Sequence, residues 1–349
     1  MNRRRRLLFH GTTLSIVALI VLLLCELTGR YRFHSHVSLT RDVDHRPTPN
    51  TAEHNSDGIR CGKEARDFAP DDLNIIFLGD SYVYGHNTYP QFAFPLQFEV
   101  MARASYPQSS VNVANFGWVS ASPYLSLRLL KDIGRKYNPD VIFLCIDMTD
   151  FHDDLKYEHL IERPRIAYKM LSLLPGTFFL GEAILGKLTR HGPFDKLYRA
   201  VFGFPKDRFF VVNEPLEQTQ EYCANILSNI NDVFAYATRD LEARCVLVIL
   251  PRSFQYSARE CPDNWEAYAY EVFGPHVYEP FALFDGLKQN VDYPIYSLLD
   301  AFRHTTIFPT CLYNDPHWNA AGCKIAAQSL IRIAEKEGVF APPVSTPGR

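Results

Sequence analysis

The sequence predicts an α/β fold built on a parallel sheet, preceded by a helix able to cross a membrane. Three observations carry this reading. Short runs of β-branched and aromatic residues alternate with longer stretches of helical periodicity from Leu73 onward. The first run, Asn74-Ile75-Ile76-Phe77-Leu78, stops at Gly79 and is followed at once by Asp80-Ser81. Leu7 to Leu27 is mostly apolar, with no polar residue from Ile16 to Leu24, directly behind the basic block Arg3 to Arg6. With 349 residues and 47% hydrophobic content, the chain can bury a sizeable core, most naturally one domain with appendages.

Taken in order, the N-terminal run is long enough to span a bilayer as a helix. The arginines should stay in the cytoplasm and send the rest of the chain across. A cleaved signal peptide is the alternative. No small-x-small site follows the run, and Leu22-Leu23-Leu24-Cys25 lacks the small residue that a lipobox carries before its Cys. Residues 1–30 are therefore read as a cytoplasmic tip and retained anchor, with the remainder extracytoplasmic or periplasmic. Residues 31–70 read as a stalk. Pro47, Pro49, Asn50 and Gly58 break periodicity, and no carboxylate or cysteine cluster accompanies His34, His36, His45 and His54, so a solvated linker is read rather than a metal tract.

Residues 71–341 are assigned to the folded domain. Its strands are expected at Asn74–Leu78, Val111–Asn115, Asp140–Ile146, Arg244–Leu250 and, more weakly, Tyr296–Leu299. Helices are expected at Phe94–Ala104, Tyr124–Tyr137 (stopped by Asn138-Pro139), Leu216–Leu241 and Ala320–Lys336. Such alternation implies a parallel sheet covered on both faces. The interval of about 151–242 is too long for a simple crossover and reads as a helical insertion. Its part from Lys169 to Phe204 is apolar and aromatic (Leu171, Phe178, Phe179, Phe194, Phe202). It is either a lid or acyl-binding wall over a site, or an insertion that enlarges the core.

The chemistry gathers at the strand ends. Gly79-Asp80-Ser81 leaves a hydroxyl at the carboxyl edge of the sheet, where open α/β folds keep their ligands. If Ser81 opens a helix, its backbone N–H can meet developing negative charge. Near the C-terminus, Asp315-Pro316-His317 precedes the last helix, so His317 can act as a base steered by the carboxylate two residues before it. Between them, Asn115-Phe116-Gly117 follows the second strand and Asp147-Met148-Thr149-Asp150 the third.

Together these four stretches resemble the blocks of the SGNH (GDSL-type) serine hydrolases, over roughly residues 72–335. The resemblance implies a three-layer sandwich with a flavodoxin-like parallel sheet. It also implies Ser81 as nucleophile, His317 as base, Asp315 as its orienting acid, and an oxyanion hole from the N–H groups of Ser81 and Gly117 with a side chain from Thr149. Two departures stand out. Most members carry Gly-x-Asn-Asp where this chain has Asp147-Met148-Thr149-Asp150, so an Asn at 149 would be expected to restore a longer donor. The acid and base are spaced Asp-x-His rather than Asp-x-x-His. Asp80 is read as a helix cap, Asp150 and Asp153 as caps or ion-pair partners, His86 and His152 as structural, and Trp318 as packing beneath the His317 loop.

The implied function is a membrane-anchored serine esterase or O-acyltransferase acting on acyl or O-acetyl groups of cell-envelope carbohydrate. The alternatives are a lipid esterase of lysophospholipase type and a non-catalytic binding or assembly protein on the same scaffold. This chemistry calls for no metal and no organic cofactor. The net charge of −3 argues against a nucleic-acid partner. Eight cysteines lie singly, without a Cys-x-x-Cys pair; seven follow the apolar run, leaving open which of them pair in an oxidising compartment. The oligomeric state is not legible.

Overall fold

The computed structural model describes residues 3–33, 46–162, 173–188, 198–200 and 203–340. The expectations for His34, His36, His45, Leu171, Phe194 and Phe202 fall outside these residues. The chain divides into two compact units.

The first unit comprises residues 1–45 and 158–206. Helix α1 (Arg3–Arg32) contains the span Phe9–Arg32, whose mean hydropathy of 2.1 and length suffice to cross a membrane, a description that a signal sequence also meets. Only its last turns are covered. There Glu26 accepts hydrogen bonds from Arg30 Nε (2.6 Å) and from the Thr177 N–H (2.8 Å), near the start of the helix Pro175–Leu188. Phe33 packs on Phe179 in the same unit, with ring centroids 6.2 Å apart.

The second unit comprises residues 46–157 and 207–349. Its sheet holds β1 (Leu73–Leu78), β2 (Val111–Asn115), β3 (Val141–Ile146), β4 (Arg244–Ile249) and β5 (Ile295–Ser297) in the order β2-β1-β3-β4-β5, all parallel. That order is the flavodoxin-like one, so the fold is the α/β class read from the sequence. Every residue of β3 is buried, which is why it appears as a continuous apolar run; β2 is buried throughout as well but carries Asn112 and Asn115, whose amides donate to Asp72 (2.9 Å) and the Val83 carbonyl (2.9 Å). Right-handed crossovers put the helices Phe94–Ser105 and Ala320–Lys336 on one face and Pro123–Ile133 and Leu216–Asp240 on the other. The members of each pair pack together, completing three layers. At the core centre Phe77 of β1 stacks on Phe143 of β3 (4.9 Å, 10°), with the edges of Phe94 and Phe98 against it. The four longer strands match their expected bounds to within one residue. The helix expected to run to Tyr137 ends at Ile133 and continues as a 3-10 turn, Gly134–Tyr137, closed by Asn138 at φ 42°.

The stalk reading fails from Arg46 onward. Ile59 and Phe68 are buried, and the Arg60 N–H donates to the carbonyl of Asn115, the last residue of β2 (3.3 Å). Asn55 Nδ2 donates to Tyr137 Oη (2.8 Å) and to the Lys63 carbonyl (2.8 Å). The Arg60 guanidinium donates to the carbonyls of Tyr84 (2.6 Å), Gly85 (2.8 Å) and Thr88 (2.7 Å) and to Glu53 (2.8 Å). His54 packs against Tyr84 and Trp118, 5.7 Å from each ring. This segment is held by side-chain hydrogen bonds rather than by a ladder, so it has no period to read. The 151–242 interval is likewise divided: Pro175–Leu188 belongs to the first unit, and everything from Asp207 folds with the second.

Candidate active site

Strand β1 ends at Gly79, whose φ of 153° favours glycine; a Cβ there would lie 2.4 Å from Val83 Cγ2 and 2.5 Å from the Cys145 carbonyl oxygen. The chain therefore turns sharply into the short helix Ser81–Tyr84. Asp80 caps it, its Oδ1 accepting from the Tyr82 N–H at 2.9 Å. The cap leaves the Ser81 N–H at the helix start without a protein acceptor among the described residues.

His317 is fixed from both sides. Its carbonyl accepts from the Leu312 N–H (2.9 Å), and Asn319 Oδ1 caps the last helix through the N–H groups of Ala321 (2.8 Å) and Gly322 (3.0 Å). Tyr82 Oη donates to the Pro316 carbonyl (2.8 Å), tying the residue after Ser81 to the residue before His317. Trp318 is buried below, stacked on Phe302 (4.4 Å).

The structure brings Ser81, His317 and Asp315 together. His317 Nε2 lies 2.8 Å from Ser81 Oγ, and Nδ1 lies 2.5 Å from Asp315 Oδ1, which also accepts from the His317 N–H (2.9 Å). A carboxylate on Nδ1 selects the tautomer with its proton there, leaving Nε2 to accept from the serine. Asp315 is only partly covered. Burial works against its charge, but the hydrogen bond and charge of His317, with further hydrogen bonds from the His317 N–H and from Asn87 Nδ2 (2.6 Å), hold it at about 2. His86 stands edge-on to His317, centroids 4.9 Å apart; burial and the neighbouring imidazole lower its basicity.

Gly117 lies against the Ser81–Tyr84 helix, where a Cβ would come 2.4 Å from the Tyr84 nitrogen. Its N–H donates to Asn115 Oδ1 at 3.0 Å, so as an oxyanion donor it would have to share that proton or release it. Thr149 is not aimed at an oxyanion position. It is fully buried, and both its N–H (2.6 Å) and its hydroxyl (2.7 Å) donate to Asp147 Oδ1. The reason lies at 147, whose carboxylate takes both Thr149 donors. An Asn at 149 would enter this closed network, so the idea that it restores a donor loses its basis.

Sequence reasoning missed the partner of that carboxylate. Arg252, just beyond β4, donates from Nη1 to Asp147 Oδ2 (2.6 Å) and to Thr149 Oγ1 (3.3 Å), and from Nη2 to Glu266. Glu266 also meets Arg208 (3.4 Å), which pairs with Asp153 (2.5 Å). Burial works against the charge of Asp153, but the Arg208 guanidinium overrides it and keeps the carboxyl well below its ordinary range. His152 Nδ1 lies 3.3 Å from the same Asp153. The available signal was an Asp directly after one strand and an Arg after the next.

Asp80, Asp147 and Asp150 each place a carboxylate oxygen within 4.8 Å of the others, and these are the described residues best placed to hold a cation. The donor set argues against one: both oxygens of Asp147 are already engaged, and Arg252 supplies the positive charge. A proton fits better. Burial and repulsion by Asp147 push Asp80 up to about 8, while burial and repulsion by Asp80 push Asp150 well above its ordinary value.

No protein-family model and no curated protein matches this chain. Among solved structures, it is similar to a two-domain esterase active on acetylated mannans (14% identity, TM-score 0.40), covering 81% of this chain and 55% of that one. It is also similar to a GDSL-like lipase described from Parabacteroides merdae (14%, TM-score 0.44; 77% and 97% covered). A third is an acetyl-xylooligosaccharide esterase variant from Geobacillus (13%, TM-score 0.40; 79% and 98% covered). The chain thus spans about half the length of the first of these. At such identities and scores the overlap carries no activity over to this protein.

Proposed function

We propose that this protein is a serine esterase or O-acyltransferase of the SGNH type, using Ser81, His317 and Asp315. One observation carries the reading: the Ser81 Oγ–His317 Nε2–His317 Nδ1–Asp315 chain, at 2.8 and 2.5 Å, at the carboxyl edge of a parallel sheet. In the first step Ser81 Oγ attacks the acyl carbonyl carbon while its proton passes to His317 Nε2. The imidazolium so formed is stabilised by Asp315. The oxyanion meets the uncommitted Ser81 N–H first, and the Gly117 N–H as it leaves Asn115 Oδ1. His317 then returns the proton to the departing alcohol, and water or a second alcohol takes the acyl group from Ser81.

The arginine block and the span Phe9–Arg32 support a single-pass anchor with residues 46–340 outside the cytoplasm. That placement favours acylated cell-envelope carbohydrate as the ester. A second reading, a non-catalytic binding protein on this scaffold, is favoured by the committed donors at Gly117 and Thr149.

One experiment separates them. The detergent-solubilised full chain is treated with a fluorophosphonate probe, beside Ser81→Ala. Labelling of the wild type at Ser81, with none in the variant, is expected. An unlabelled but folded wild type would sink the esterase reading.

A further inference from the structure

A pair of thiols beside the site has no part in that chemistry. Glu260, itself buried, accepts from the Thr310 N–H (2.8 Å), the Thr310 hydroxyl (2.9 Å) and the Cys311 N–H (3.1 Å). This clamps residue 260 onto the segment leading to Asp315 and His317. The next residue, Cys261, adopts φ 34°, and its thiol donates to Ser253 Oγ (3.5 Å). Cys311 Sγ in turn touches Tyr256 Oη (3.3 Å) and the Pro316 carbonyl (3.6 Å). Cys311 is deeply buried, whereas Cys261 is partly open.

Four other cysteines make hydrogen bonds to groups that are not thiols. Cys61 faces Asn55 and the Lys63 carbonyl, Cys223 faces Thr219, Cys245 faces Thr238, and Cys323 faces the Trp318 carbonyl. Burial raises Cys61, Cys245 and Cys323 to about 12, keeping those thiols inert.

We infer that Cys261 and Cys311 are an oxidative cross-linking site, joining the loop that carries Arg252 and Glu266 to the segment that carries Asp315 and His317. The Glu260 carboxylate on the Cys311 N–H holds residues 261 and 311 side by side, and a bond needs their sulfurs to close to about 2.05 Å. The oxidant is a small disulfide such as oxidised glutathione. Cys261, the accessible thiol, attacks as the thiolate; its hydrogen bond with Cys311 lowers its pKa, against the effect of burial. One glutathione thiolate leaves and a mixed disulfide remains on Cys261. Cys311 then attacks the Cys261 sulfur, expels the second glutathione thiolate and gives up its proton to it. Two protein thiols and one disulfide become one protein disulfide and two thiols.

The test needs no activity, so it stands apart from the esterase reading. The detergent-solubilised full chain is equilibrated in reduced or oxidised glutathione, alkylated, digested and analysed by mass spectrometry. The expected product in the oxidised buffer is a single cross-linked pair, Cys261–Cys311. Closing a loop of about 50 residues should raise Tm by about 5–10 °C relative to the reduced protein. Cys261→Ser should lose both the cross-link and the Tm response while keeping its fold, which covers the case in which Cys311→Ser fails to fold. Separate alkylation of both thiols after oxidation, a link between other cysteines, or an equal Tm rise in Cys261→Ser would overturn the proposal.

Discussion

Asp80 stands directly before the proposed nucleophile, and its buried carboxyl lies in a carboxyl cluster with Asp147 and Asp150. Its folded pKa, about 8, lies above the ordinary carboxyl value of 3.8. A raised folded pKa means that the folded state holds a proton the unfolded chain has lost. This contribution is fully present below about pH 4 and is lost as pH rises through about 8. Within that window stability should fall by up to ~1.4 kcal/mol per pH unit. Asp80→Asn keeps an oxygen for the Tyr82 N–H and removes the titration. Denaturant unfolding of the second unit at several pH values between 4 and 8 should therefore give a flatter profile in the variant. An unchanged slope would mean that Asp80 is ionised in the folded protein. Ser81, His317 and Asp315 were legible because each sits where a strand or turn stops. The committed states of Thr149 and Gly117 were not, because an oxyanion donor differs from a structural one only in what its proton already faces.

Between elements, Arg252 joins the end of β4 to the end of β3. Both of its carboxylate partners, Asp147 and Glu266, are buried. Removing it by Arg252→Met should cost about 3–5 kcal/mol, mostly from the carboxylates left without a partner. The double change Arg252→Met with Asp147→Gly should recover part of that loss, because it removes the stranded charge along with its cation. Urea midpoints of the two variants check this, and a double variant no more stable than the single one would mean that Asp147 is not the source of the cost. β1, β3 and β4 were readable because strands buried on both faces are rich in apolar β-branched and aromatic residues, and β2 because its valines still alternate. The contact between Asp147 and Arg252 was not, since it spans more than a hundred residues of sequence and has no local signature.

For the molecule as a whole, the boundary of the second unit decides which fragments fold. The sequence offered a start near residue 71, because 31–70 lacks periodicity. The structure moves it to Arg46, since Ile59 and Phe68 are core residues and each fully buried apolar side chain contributes about 1.5–3 kcal/mol. Against a typical total of about 5–15 kcal/mol, losing both with the Arg60 contacts is decisive. A chain beginning at Arg46 should take up the fluorophosphonate label as the full chain does, whereas one beginning at Asp71 should be unfolded by circular dichroism and unlabelled. Equal folding of the two fragments would show that the segment is dispensable.

The grip of Arg60 also has a mechanical meaning. Along the sequence α1 is followed by this segment, so a pull passed along that stretch would enter the second unit at Arg46, while residues 158–206 join it separately at Tyr157 and Asp207. The guanidinium of Arg60 grasps the carbonyls of Tyr84, Gly85 and Thr88, at and just beyond the end of the helix that Ser81 begins. Such a pull would meet the Asn55–Tyr137 contact first and then the fastening of the nucleophile helix, one helical turn from the serine hydroxyl.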